Sequence, residues 1–251
     1  MTSLTKEERI KREETAAGEE KEKKEEREEA KSASNRRAPG GIIGKAIGLL
    51  MILGSLFHIY TGGFGLLSTM SQRSLHLLFM LVPAFFLYGA SVKAPKKVPW
   101  YDVALGCLTF AACLYLFFTW PRQTMRVGDP GLWDLVFGAI LILMVLEGTR
   151  RTAGNALAGI AALMVLYCYF GKYLPGILAH RGYSLTRIIS FFSSTAEGIF
   201  GVPLGVSASL IVLFVVFGGV LNATGGGKFF IDATYSMAGR LSGGTAKTGV
   251  M

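Results

Sequence analysis

From residue 41 onward the chain alternates between long apolar runs and short polar connectors. The runs are 41–67, "GIIGKAIGLLMILGSLFHIYTGGFGLL", then 75–92, 101–120, 132–148, 152–171 and 202–223. Each approaches the ~20 residues that carry a helix across a bilayer. Lipid offers no partner to backbone N–H and C=O groups, so each run must close its hydrogen bonds within a helix. A barrel would need short alternating strands, which are absent from the pattern. The fold class expected is therefore all-α: a polytopic inner-membrane helical bundle of about six transmembrane helices. Two stretches mix apolar and polar positions too evenly to span. These are "TRIISFFSSTAEGIFG" at 186–201 and "KFFIDATYSMAGRL" at 228–241. Both read as amphipathic helices at opposite interfaces.

Composition changes the picture at one end only. Hydrophobic residues make up 51% of the 251 residues, and mean hydropathy is +0.44, well above a soluble domain. Residues 1–40 hold eleven Lys/Arg and eleven of the seventeen Asp/Glu. Glu and Lys recur there without an apolar face, which predicts a charged, mobile, partly helical cytoplasmic tail. The segment lacks the short charged region and cleavage motif of a signal peptide. Beyond it only Asp102, Asp129, Asp134, Glu147, Glu197 and Asp232 are acidic, so the body carries the net charge of +9. Its cations lie between spans and act as topology signals; nucleic acid is not an expected partner. A cytoplasmic N-terminus places Lys93, Lys96, Lys97, Arg150, Arg151, Lys228, Arg240 and Lys247 inside. It leaves Arg73, Arg122, Arg126, Lys172, Arg181 and Arg187 outside. Trp100, Tyr101, Trp120 and Trp133 stand at run ends as interfacial anchors.

Little enzymatic chemistry is visible. Cys107, Cys113 and Cys168 lie inside apolar runs without metal-site spacing and read as small buried hydrophobes. No catalytic residues, metal ligands or cofactor are expected, and no enzyme. "TGGGKFF" and "SGGTAKTG" suggest a phosphate loop, but Phe229 follows Lys228 and Leu241 occupies the first glycine position, so both matches fail. Small residues four apart, at Gly44/Gly48, Gly154/Ala158/Ala162 and Gly201/Gly205/Ser209, allow close helix approach. His58 and His76 are buried ionisable candidates, with helix packing as the plainer role. Glu147 can pair with Arg150 and Arg151 at i+3 and i+4, a structural or docking set. Asn222, Thr224 and Gly225 are the sharpest candidates for substrate or ion binding, because a break at membrane depth lines a cavity. The same residues also read as a helix C-terminus capped by Gly225.

Four stretches in order carry a family likeness: "SQRSLHLLFMLVPAFFLYG", "VPWYDVAL", "VLEGTRRTAGNAL" and "FGGVLNATGGGKFFIDATYSMAGRLSGGTAKTGVM". Together they resemble the fused permease of tripartite ATP-independent periplasmic (TRAP) transporters. The likeness is to the type that joins a small and a large subunit in one chain and is usually served by a TAXI-type binding protein. It covers most of 41–251 and is most specific in the last stretch. It implies a four-helix small-subunit-like scaffold at 41–149, a connecting helix and periplasmic loop at 150–187, and the beginning of the large permease domain at 188–251. It further implies sodium-coupled uptake of a small organic anion, a carboxylate, handed over by a periplasmic binding protein in a bacterial or archaeal cytoplasmic membrane. The movement would resemble an elevator against a static scaffold. In that family "GGTAKTGV" continues into a re-entrant hairpin for sodium and substrate. The chain is thus expected to be an N-terminal portion, with the remaining part of the large permease domain as a partner alongside membrane lipid. The rival expectation is a non-transporting scaffold or accessory subunit that docks a separate large permease.

Overall fold

The computed structural model of the chain describes residues 35–65, 67–91, 94–125 and 129–238. The charged tail before residue 35 and the "SGGTAKTG" motif lie outside them, as do Lys93, Arg126, Arg240 and Lys247. Among the described residues the regular structure is helical, as the apolar runs predict. It comprises α1 (Gly41–Phe64), α2 (Thr69–Leu87), α3 (Trp100–Met125), α4 (Leu132–Thr152) and α5 (Asn155–Phe170). Then come α6 (Leu185–Ser194), α7 (Val202–Ala223) and α8 (Gly226–Ala238). Helices α1 to α5 and α7 are long and apolar enough to cross a membrane. The spans alternate in direction. One side of the bundle, the near side, carries Gly41, Leu87, Trp100, Thr152, Asn155, Ala223 and Gly226. The far side carries Phe64, Thr69, Met125, Leu132, Phe170 and Val202.

Helix α2 is the hub. It packs against α1, α3, α4 and α7, while α5 and α6 lean on α4 and α8 on α7. Its Leu77, Leu78, Leu81, Val82 and Phe85 meet Ala112, Cys113 and Leu116 of α3 and Leu141 and Met144 of α4 in one buried cluster. The outward residues of α1, α5 and α7 are large and apolar, among them Leu56, Leu163 and Phe214. That inversion is the expected state of a chain whose solvent is hydrocarbon. Trp100 and Trp133 stand exposed at opposite ends, as interfacial anchors do.

Close approach is achieved at glycines other than most of those the four-residue spacing picks out. Gly54 faces Phe79, Gly62 faces Leu213, Gly106 faces Phe86 and Gly148 faces Leu81. Gly48 has open space beside it, because it lies on the outward face of α1 while Ile47 and Leu50 turn inward. Gly154 has φ +95 and forms the turn between α4 and α5 rather than a helix contact. Of the amphipathic stretch 186–201 only the first part is regular helix. Helix α6 packs its Ile189 and Ser193 against Gly138, six residues into α4, or ~9 Å at 1.5 Å per residue. The turn after it buries Phe200 completely in the α2–α3–α4 cluster.

Candidate functional site

Among the described residues, two of the polar networks that interrupt this apolar body join three or more segments of the chain. On the near side, residues 35–37 run antiparallel to the end of α2: Arg37 N–H donates to the Leu87 carbonyl at 2.7 Å and Gly89 N–H to that of Asn35 at 3.0 Å. The pairing delivers Arg37 to Asp102, in the first turn of α3, at 2.5 Å. The other Asp102 oxygen accepts from Arg151 of α4 at 2.7 Å. Arg151 Nε reaches Glu147, 2.7 Å away, and Arg150 grips both Glu147 oxygens. Arg150 and Arg151 also donate to the carbonyls of Ala90 and Tyr88. One carboxylate thus ties the chain before α1 to α3 and α4. Asp102, with no exposure, is fully removed from solvent, where an unmatched charge is costly.

The second network lies on the far side, six to seven residues inside α1 and α2. His58 Nδ1 lies 2.6 Å from the Gly54 carbonyl, which can only accept, so that nitrogen carries hydrogen. In the neutral pair His58 Nε2 then accepts from His76 Nδ1 at 2.9 Å, and His76 Nε2 accepts from the Ser207 hydroxyl at 3.0 Å. The direction of every bond follows from that first carbonyl. One turn away, Gln72 Nε2 donates to Thr61 Oγ1 and to the Ala208 carbonyl. Ser207 and Ala208 open a π-helical turn, Ser207–Ile211, within α7. A widened turn weakens the i−4 ladder, and the Ala208 carbonyl has gained a side-chain donor from α2. Arg73, beside Gln72, donates to the Phe200 carbonyl, its guanidinium lying flat against Gly205. These residues join the α1–α2 hairpin to α7.

The anticipated residues fall unevenly. Glu147, Arg150 and Arg151 pair as their spacing predicts. His58 and His76, read as separate candidates, are partners. Asn222, Thr224 and Gly225 are exposed at the near end of α7. Gly225 has φ +74, and its N–H donates to Asn222 while Thr224 N–H donates to Val220, which is a helix C-terminus followed by α8. Gln72, Arg73, Asp102, Thr61 and Ser207 were not singled out as candidate sites. A signal existed: Gln72 and His76 are four apart in an apolar helix and share a face. Asp102 is an acid in the first turn of an apolar span, where a buried carboxylate needs a cation or hydrogen-bond donors to accompany it inward.

Six apolar spans, one of them the buried hub, with polar groups turned inward, define a multi-pass α-helical membrane protein. Residues 140–251, just under half of the chain, match the sequence model of the tripartite ATP-independent periplasmic transporter, DctM component. The match supports a TRAP-type transporter permease, which is a transporter family and not one of enzymes. No curated protein and no solved structure gives a significant match.

Proposed function

We propose that the chain is a permease component of a TRAP-type secondary transporter, moving a small organic carboxylate inward with sodium. The substrate is handed over by a periplasmic binding protein of the TAXI type. The observation that carries this reading is the contiguous family match over 140–251. The hydrogen bonds between α1–α2 and α7 support a scaffold role for the first four spans, with the Glu147, Arg150 and Arg151 pairs on its near side. Asn222, Thr224 and Gly225, exposed between α7 and α8, are the described residues proposed to face ion or substrate. The membrane is the bacterial or archaeal cytoplasmic one, with the N-terminus inside. Disrupting the coding sequence in its native cell abolishes sodium-dependent accumulation of the binding protein's ligand, and a plasmid copy restores it. Accumulation unaffected by the disruption overturns the reading.

A further inference from the structure

The outward surface of α5 carries a groove of ≈ 490 Å³ on its far-side half. Leu163, Leu166 and Phe170 of α5 are among the residues of one wall, and Leu174 and Leu178, from the chain that follows, form the other. These walls are open: Leu163, Leu166 and Leu178 are each more than half exposed. The one hydroxyl among the lining residues, on Tyr167, donates to the Leu178 carbonyl at 2.9 Å, so the lining side chains offer an occupant apolar contact alone. The second wall is held by bonds of its own. His180 N–H donates to the Gly171 carbonyl at 3.1 Å and Tyr183 N–H to that of Cys168 at 3.0 Å. The His180 ring accepts from Gly182 N–H at Nδ1, 3.1 Å away, so Nε2 carries the hydrogen and donates to the Tyr167 carbonyl at 3.0 Å. A Cβ at Gly171 would overlap that ring. Residues 171–183 thus fold back on the last turns of α5 and leave the groove standing between the two.

Depth and charge together name the occupant. Leu163 to Phe170 covers ~10 Å at 1.5 Å per residue, counted from the far-side end of the span. The hydrocarbon of one leaflet is ~15 Å deep, so the groove follows most of the depth an acyl chain occupies. Three cations gather at its outer end. Lys172 lies in the turn between the lining residues Phe170 and Leu174, its ammonium 4.8 Å from the centre of the Tyr173 ring. Its Cβ and Cγ stand 3.5 Å from where a Gly182 Cβ would be, which brings Arg181 beside it. The Arg187 guanidinium lies over the Tyr183 ring, 5.7 Å from its centre. No Asp or Glu occurs from Gly148 to Ala196, and among the described residues no carboxylate pairs with these cations. Cations clustered at a membrane edge attract anionic lipid.

We propose that the groove is a binding site for one anionic phospholipid. An acyl chain lies between the α5 wall and Leu174 and Leu178, and the phosphate sits between Lys172 and Arg181, which donate charge-assisted hydrogen bonds to it. A zwitterionic lipid fits the same groove but brings its own cation to the cluster, so charge makes the site selective. A second copy of this face would bring the same positive charge, which disfavours a dimer here. The site is separate from the His58–His76 network and from Asn222–Gly225, and it stands whether or not the chain moves a solute.

The test uses the purified full chain in phosphatidylcholine vesicles holding a trace of photoreactive phosphatidylglycerol, with a diazirine midway along one acyl chain. Labelled peptides are read by mass spectrometry. Label concentrates on 163–178, at least fivefold above the outward residues of α1. Unlabelled phosphatidylglycerol displaces it and added phosphatidylcholine does not. Lys172→Gln combined with Arg181→Gln lowers the groove label at least fivefold, while Lys172→Arg combined with Arg181→Lys keeps at least half. On the unaltered chain a tenfold rise in salt lowers the same label, because exposed charges are screened, so the outcome does not depend on a variant folding. Equal labelling of the groove by photoreactive phosphatidylcholine reduces it to bulk lipid contact and overturns the proposal. Label that survives both the double Gln variant and the added salt overturns it too. A groove that neither lipid labels belongs to a protein partner, which overturns it as well.

Discussion

At the scale of residues, Asp102 carries more of the near-side structure than any other single group. Its two oxygens pair with Arg37 and Arg151, each almost wholly buried. Asp102→Ala leaves two buried guanidiniums facing one vacancy, and breaking a buried pair this way costs ~3–5 kcal/mol. Glu147 is a quarter exposed, and Arg150 more than a third. Glu147→Ala is therefore expected to cost about 1 kcal/mol or less, with Arg151 still held by Asp102. Thermal unfolding in detergent ranks the two variants; equal shifts would refute the assignment of Asp102 as the keystone. On the far side, His76→Ala strands the Ser207 hydroxyl and the His58 Nε2 acceptor together. A loss of ~1–3 kcal/mol is expected for such buried orphans, and the double variant with Ser207→Ala should lose less than the sum of the two singles.

At the scale of elements, the spans were legible because hydrophobic length is a crude and robust signal. The joints between them were not. Periodic glycines point to close packing, yet which glycine meets a neighbour depends on helix rotation, which no spacing within one helix states. Gly138 is the clearest case: it faces Ser193 and Ile189, fifty residues on, and nothing local marks it. Gly138→Val is expected to push α6 off α4 while leaving the spans in place. A cysteine at Ser193, buried in the native chain, would then react with a maleimide at least fivefold faster; an unchanged rate would contradict the docking of α6. The π turn in α7 was equally invisible, because no proline or glycine lies within Ser207–Ile211 and the side chain that donates to it, Gln72, comes from α2.

At the scale of the whole molecule, the alternation of six spans puts Gly65 and Ala94 on opposite faces. With the N-terminus cytoplasmic, a single cysteine at Gly65 is labelled from outside in intact cells and one at Ala94 only after permeabilisation, in a background lacking Cys107, Cys113 and Cys168. The opposite pattern would invert the orientation while leaving the fold intact. The overall class was readable from the apolar runs, and the family likeness from motifs such as "LEGTRRTAG". The candidate sites were readable only in part, because charge pairs such as Arg37 with Asp102 join residues 65 apart, a relation the order along the chain does not express.

The bond from His76 to Ser207 spans 131 positions. A ribosome adding about 5–20 residues per second therefore emits α2 roughly 7–26 s before it emits Ser207. Throughout that interval the imidazole pair sits in a hairpin already committed to the bilayer, with the Ser207 donor not yet made. Insertion of this chain thus includes a waiting period, and its duration is set by translation speed across α3 to α6.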